Sequence, residues 1–474
     1  MTIKLYNTLT RRLEEFTPLQ PGKVGFYSCG PTVYHYTHLG NLRTFMHNDF
    51  LKRMFLANGY EVRHVMNITD VGHLTNDEDD SGEDKMEKGA ARENKSVWDI
   101  AKFYKDEFLR DFNDLNMIAP TVMPHATDYI AEQIDLVRKL EDLGYTYEIP
   151  GDGIYYDTSK FAAYGALTGG TLSGNRAGAR VDFNDAKRNP TDFALWKFSP
   201  TDTKRQMEWD SPWGVGFPGW HAECSAMSMK LLGNHFDIHT GGEDLSRVHH
   251  ANEIAQSEPI TGAPWVNTWL HYSFLLDKSG EKMAKSKGEF LGMDAVRTRG
   301  YDPMVYRYFV AMGHYQSQLA FSWETMDATA KSYANLVRRV ADLMGTDGQA
   351  INQEIYSKWH DDMVAAMSDN LKTASVLVLL QEFIKSNDID NATKLALVRF
   401  VDELLGLQFI DRATKLIALE RESAPAEIVA LAESRATAKA NRDWATADSL
   451  RAEIDAAGWT VLDSKDGYKI VKKA

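Results

Sequence analysis

A strand, a loop holding "HLGN", a helix and a second strand follow one another near the start of the chain, and this unit restricts the available folds more than any other feature. "GKVGFYSCG" reads as a short buried strand closed by glycine. "NLRTFMHNDFLKRMFLANG" puts Phe45, Phe50, Met54 and Phe55 near helical spacing and stops at Gly59, and "YEVRHVMNITD" alternates as a strand does. Strands joined across a helix seed a parallel sheet, so the expected class is α/β.

At 474 residues the chain outgrows a single core, and two to four domains are expected. Residues 75–95 are highly charged and read as an exposed loop. "VWDIAKFYKDEFLRDFNDL" and "ATDYIAEQIDLVRKLEDLG" read as helices and "GIYYDTS" as a strand, together an insertion before the sheet resumes near Trp220. Beyond residue 322 four stretches are helical, from "ETMDATAKSYANLVRRVADLMG" to "NATKLALVRFVDELLG", and a four-helix bundle is the economical reading. The tail reads as two helices and a hairpin whose turn holds Asp466 and Gly467.

No apolar run approaches the length that spans a bilayer and the first residues carry no apolar signal region, so cytoplasmic residence and no membrane partner are expected. In a reducing compartment a disulfide between Cys29 and Cys224, the only two cysteines, is not expected, so each is buried filler or chemistry. A net charge of −14 argues against a broad electrostatic grip on nucleic acid. The charge is uneven: residues 421–474 hold nine Lys/Arg against nine Asp/Glu, leaving room for a polyanion there.

No GxxxxGK[ST] phosphate loop is present, so a nucleotide must be held another way. "YTHLGN" offers one. Backbone amides opening a helix favour phosphate, Gly40 lets a flat ring approach the backbone, and His38 can donate to phosphoryl oxygens. "EKMAKSKG" sets three lysines among six residues, a cationic loop able to stabilise departing pyrophosphate. Together the two motifs resemble the HIGH and KMSKS signatures of the class I aminoacyl-tRNA synthetases.

"GWHAECSAMSMK" contains Cys224, and "GGEDLSRVHHANEIAQSE" places His249 and Glu253 at i and i+4 on one helix face. With Cys29 they make a plausible zinc set of two thiolates, one imidazole and one carboxylate. Two buried small residues and a surface histidine are the alternative. "CGPTVY", "HLGN", "NITD", "GWHAECSAM", "GNHFDIH", "HHANEIAQS" and "KMAKS" extend the resemblance over nearly the whole chain, to the cysteine-specific branch of that family.

The resemblance implies a Rossmann-like catalytic domain over residues 1–325, with a connective insertion at roughly 120–205 and a lysine-loop region at roughly 266–325. It implies an α-helical bundle over 326–415 and a small C-terminal α+β domain over 421–474, both facing tRNA. It makes Cys29, Cys224, His249 and Glu253 ligands of one Zn2+ per chain, and sets ATP with Mg2+ over His38, Gly40, Asn41 and Asp244 against Lys282 and Lys285. Thr69, Trp220, His221 and His239 become walls of an L-cysteine pocket, and Trp444 and Asp463 contacts to tRNA(Cys). A monomer is implied.

Three stretches depart from the commonest pattern: Asn41 replaces the last histidine of HIGH, Ala284 replaces the first serine of KMSKS, and the segment after "NITD" is less compact than the Asp-rich stretch of many relatives. Two rival readings keep part of these features: a ligase joining cysteine to an aminosugar, and an idle zinc-stabilised RNA-binding module. The ligase has no use for a bundle and a basic-residue-bearing tail, and the idle module none for intact leaving-group lysines.

Overall fold

The computed structural model describes residues 1–474 except 73, 77–80, 170–185, 202–203, 278–279, 284–289, 345–349, 422–423, 465–466 and 474. After an antiparallel hairpin of β1 (Lys4–Asn7) and β2 (Arg12–Glu15) comes the anticipated unit: β3 (Lys23–Ser28), α1 (Leu39–Ala57) and β4 (Glu61–Met66). β3 and β4 pair in parallel, with Phe26 opposite His64. The helix begins at Leu39, two residues earlier than "NLRTF" suggests, because His38 supplies its N-cap. Phe45, Phe50, Met54 and Phe55 are buried, and Gly59 takes the positive φ of 79° that ends the helix region cheaply.

The charged stretch departs from the expected loop. β5 (Leu74–Asn76) pairs with β6 (Ser81–Asp84), and α2 (Lys85–Glu93) follows, packed on α3 (Val97–Asp114). Asp84 caps α2, accepting from the amides of Met86 and Glu87 at 2.7 and 3.0 Å. Met86 and Ala90, at i and i+4, are buried, so two apolar residues among many charges suffice to anchor the helix.

α4 (Ile130–Asp142) leads into an antiparallel sheet of β7 (Thr146–Ile149), β8 (Gly153–Tyr156), β9 (Phe193–Phe198) and β10 (Gly216–Pro218), in the order β10-β9-β8-β7. Trp220 then opens α5 (Trp220–Leu232) rather than a strand; the parallel sheet resumes at β11 (Phe236–Gly242), followed by α6 (His249–Thr261) and β12 (Val266–Tyr272). The parallel order is β12-β11-β3-β4, so strand order reverses between β3 and β11. A crevice at the carboxyl ends of strands at such a reversal is where α/β sheets bind ligands. Buried Tyr27, Val65, Trp196, Met227, Trp265 and Trp269 share one core that joins the parallel sheet to the inserted one.

β13 (Leu275–Leu276), α7 (Met293–Thr298), α8 (Pro303–Ala311) and β14 (Leu319–Ala320) complete this part, β13 and β14 pairing in parallel. Asp49 of α1 sits between Arg53, at 2.8 Å, and the fully buried Arg307 of α8, whose remaining donors reach the carbonyls of Leu115 and Leu405. Burial would raise the Asp49 pKa, but the two guanidinium groups, Arg307 foremost, hold it below the ordinary carboxylate value.

The helical region holds α9 (Trp323–Leu343), α10 (Gln353–Ser368), α11 (Thr373–Lys385), α12 (Asn391–Leu405) and α13 (Phe409–Arg421), one helix more than the sequence suggested. α14 (Ala426–Ala440), α15 (Trp444–Ala456) and the antiparallel pair β15 (Trp459–Ser464) and β16 (Gly467–Lys472) follow, as anticipated, around a small core of Ile428, Ala432, Ile454, Trp459 and Val461. Asp466 of the expected turn lies outside the described residues. The chain divides into two compact units: Met1–Thr329 with Trp359–Leu379 and Glu403–Gly406, and Ala330–Lys358 with Leu380–Asp402 and Leu407–Ala474.

Candidate active site and metal centre

A cavity of about 260 Å³ opens where β3 and β11 end. Cys29 is the first residue after β3, and its amide donates to Thr240 of β11 at 3.2 Å. Gly30 passes so close to Asn67 that a Cβ would lie 1.7 Å from the Asn67 carbonyl oxygen, which no other residue could tolerate without backbone movement. Asn67 Oδ1 accepts from the Gly30 amide at 2.8 Å, its Nδ2 donates to Thr69 Oγ1 at 2.9 Å, and Thr69 donates to Glu223 Oε2 at 3.0 Å. Thr69 and Trp220 line the cavity. Glu223, fully buried behind Thr69, was missed from sequence; a lone carboxylate in the small and apolar run "HAECSAM" was the available signal.

On the opposite wall α1 points its first turn at the cavity, through His38, Gly40 and Asn41. His38 Nδ1 accepts from the Asn41 amide at 3.2 Å, which fixes the ring plane. A Cβ on Gly40 would stand 3.0 Å from that ring, so the glycine is what lets the imidazole lie flat there. No acidic residue occupies the first turn, leaving the positive end of the helix dipole available to an anion.

Asp244 and Lys282 line the cavity and pair at 2.8 Å, with the Lys282 ammonium 4.2 Å above the Phe274 ring. Lys285 lies outside the described residues. Arg43, also missed, donates from buried α1 to the carbonyls of Ser273, Phe274, His314 and Ser317, tying the helix to the segment that leads to Lys282. Its position in the apolar-looking stretch of α1 hid it from periodicity.

The donor atoms of Cys29, Cys224, His249 and Glu253 all lie within 4.8 Å of one another. Cys29 follows β3, Cys224 sits in α5, and His249 and Glu253 are one turn apart on α6, so three elements converge. Glu253 Oε1 stands 3.0 Å from His249 Nε2 and 3.9 Å from His250 Nε2 and accepts no hydrogen bond among the described residues. A buried carboxylate oxygen without a hydrogen bond, beside an imidazole nitrogen, fits a cation between them. With two thiols beside them the set suits a borderline-soft divalent ion such as zinc.

The groups of the quartet shift one another's protonation. Burial opposes charge on Glu253, but His239 and His249 outweigh it and hold the carboxyl at about 2. Burial likewise opposes protonation of His249, but Glu253 and Cys224 raise it to about 10. Burial and the neighbouring Cys224 raise the Cys29 thiol, whereas hydrogen bonds from Cys29 and His249 lower Cys224 against its burial.

His221 and His239 do not line the cavity; they stand behind it. His221 Nδ1 is 2.9 Å from His249 Nδ1, and His239 Nε2 is 2.9 Å from Glu253 Oε2, so each touches a member of the quartet. Trp220 lies 4.4 Å from the His249 ring. Trp444 and Asp463 belong to the other compact unit: Trp444 opens α15 and is 59% exposed, and Asp463 is in β15.

A family model described as the tRNA synthetases class I (C) catalytic domain matches residues 15–331. Cysteine–tRNA ligase 1 of Burkholderia lata is 46% identical over 470 residues, covering 99% of this chain and 97% of its own. Cysteine–tRNA ligase of Treponema denticola is 43% identical over 495 residues, with 100% of both chains covered. Methionyl-tRNA synthetase of Mycobacterium tuberculosis, solved with methionyl-adenylate, shares the fold at a TM-score of 0.57 and 15% identity, over 85% of this chain and 94% of that one. With the crevice, the helix-borne "HLGN" and the cysteine cluster in one place, the chain belongs to the class I aminoacyl-tRNA synthetases, in their cysteine–tRNA ligase family.

Proposed function

We infer that the protein uses ATP to convert L-cysteine to cysteinyl-adenylate and transfers the cysteinyl group to the 3′-terminal ribose of tRNA(Cys). The observation that carries this reading is that both cysteines of the chain join His249 and Glu253 at the cavity shared by His38, Asn41 and Lys282.

The carboxylate of cysteine attacks the α-phosphorus of ATP, that bond forming as the bond to pyrophosphate breaks. His38, Gly40 and Asn41 hold phosphoryl oxygens at the start of α1, Asp244 faces the nucleotide, and Lys282 with Lys285 takes up charge on the departing pyrophosphate. Magnesium accompanies the ATP. No side chain acts as a covalent nucleophile, and the work is positioning and charge stabilisation. Lys282 must leave Asp244 for this task; the pair is about half exposed, at 41% and 50%, and such pairs hold by no more than about 1 kcal/mol. In the second step the ribose hydroxyl attacks the acyl carbon and AMP departs.

Serine is nearly isosteric with cysteine, and a pocket working by shape alone separates such pairs by only about 10²-fold. Zinc held by Cys29, Cys224, His249 and Glu253 would supply the missing chemistry, a preference for thiolate over alcohol. Thr69 and Trp220 form pocket walls, with His221 and His239 bracing the ligands behind them. Trp444 and Asp463 contact tRNA from the small C-terminal domain, residues 421–474, and the helical domain, residues 326–415, is a further tRNA-contacting part. The protein works as a monomer in the cytoplasm.

Transfer of labelled cysteine to unfractionated tRNA, with cysteine-dependent pyrophosphate exchange alongside, tests the reading. Label on tRNA is the expected result. Exchange without labelled tRNA would point to a small amine acceptor, and loss of both would overturn cysteine activation.

A further inference from the structure

The quartet assigned to the metal is only part of a larger buried cluster. Cys29, His239, His250 and Glu253 form a second quartet whose donor atoms also lie within 4.8 Å of one another, sharing Cys29 and Glu253 with the first. We propose that this inner quartet is a second seat for the same divalent cation, able to hold it behind the cavity when Cys224 or His249 is not available. The proposal rests on the metal reading above.

The two oxygens of Glu253 serve both sets. Oε1 lies 3.0 Å from His249 Nε2 and 3.9 Å from His250 Nε2, and Oε2 lies 2.9 Å from His239 Nε2. Cys29 Sγ, likewise shared, stands 3.3 Å from His250 Nε2. Because the sets share two donors, the cluster holds one ion at a time.

His250 is oriented as metal-bound histidines are, by a partner on its other ring nitrogen. Its Nδ1 is 2.7 Å from His271 Nε2, and His271 Nδ1 is 2.9 Å from Thr8 Oγ1. His249 is braced in the same manner by His221, so neither imidazole of the adjacent pair is a mere filler. The backbone accommodates the inner ring: a Cβ on Gly241 would lie 2.7 Å from His250 Cε1.

The two sets differ in access and in softness. Cys29, Cys224 and His249 line the cavity, whereas His239 and His250 do not and are fully buried. The outer set offers two thiolates, the inner one thiolate and two imidazoles, a composition that suits zinc or cobalt equally well. An ion on the inner donors is retained by the fold but is not presented to a substrate thiol as it is from the outer set.

Cobalt-loaded full-length protein tests this, since thiolate-to-cobalt absorption counts bound thiolates. Wild type should hold one Co2+ with the intensity of two thiolates. Cys224→Ser should still hold about one, at about half the intensity, and Cys224→Ser/His250→Gln should fall below about 0.2 per chain. His249→Gln, with and without His250→Gln, repeats the comparison if the Cys224 variant does not fold, folding being read by circular dichroism and thermal melting. Folded outer-set variants that bind no cobalt, or that lose none when His250→Gln is added, would overturn the inner seat. Absence of two-thiolate absorption in wild type would overturn the outer assignment instead; His250→Gln alone should then empty the protein.

Discussion

Cys29 and Glu253 belong to both donor sets, so their loss has no substitute within the cluster. Cys29→Ala and Glu253→Gln are each expected to lower zinc from one ion per chain to less than about 0.1, by mass spectrometry of the purified protein. Lys282→Ala is expected to slow cysteine-dependent pyrophosphate exchange by about 10²- to 10³-fold, the scale of a lost transition-state donor, while leaving the equilibrium affinity for cysteine within about twofold. An equal fall in both would make Lys282 a substrate-binding group. The convergence of Cys29, Cys224, His249 and Glu253 was legible residue by residue because it rests on a rare residue type, the two cysteines, and on a histidine and a carboxylate one helical turn apart. Glu223, Arg43 and His250 were not legible, since what distinguishes them is which atoms they meet, and their partners lie far off in sequence, as Ser273 and His314 do from Arg43.

At the level of elements, α1 does two jobs, offering its first turn to the cavity and anchoring its middle through Asp49. Asp49→Asn leaves Arg307 buried without its charge partner, and a loss of about 3–5 kcal/mol is expected in urea unfolding at pH 7. The Asp49 carboxyl is depressed in the fold, so its contribution is present above the unfolded value of about 3.9 and is lost as pH falls through the lower folded value. The stability gap between wild type and variant should therefore begin to narrow as pH falls below about 4 and close only below the depressed folded value, if both remain folded enough to measure. The β3, α1, β4 unit and the helices α3, α4, α14 and α15 could be read locally because each carries its own period or caps. α2 could not, since its apolar side is only Met86 and Ala90; neither could the start of α5, where Trp220 looks like sheet until its packing is seen.

For the whole molecule, the tail builds a small core of its own around Ile428, Ile454 and Trp459. A chain ending at residue 424 is expected to keep pyrophosphate exchange within about twofold and to lose more than about tenfold in kcat/KM for tRNA charging, if that part contacts tRNA as inferred. Equal loss in both assays would show that the tail supports the catalytic fold instead. The order of the parallel sheet has a further consequence, for a chain still on the ribosome. β3 lies between β4 and β11, and β11 is made more than 200 residues after β3. At about 5–20 residues per second that interval is roughly 10–40 s, during which one edge of β3 and the thiol of Cys29 wait without the partners they have in the finished fold. A nascent chain cut short before residue 224 therefore carries a raw strand edge and an unmatched thiol together, two marks by which the quality-control machinery of a cell can tell an incomplete copy from a finished one.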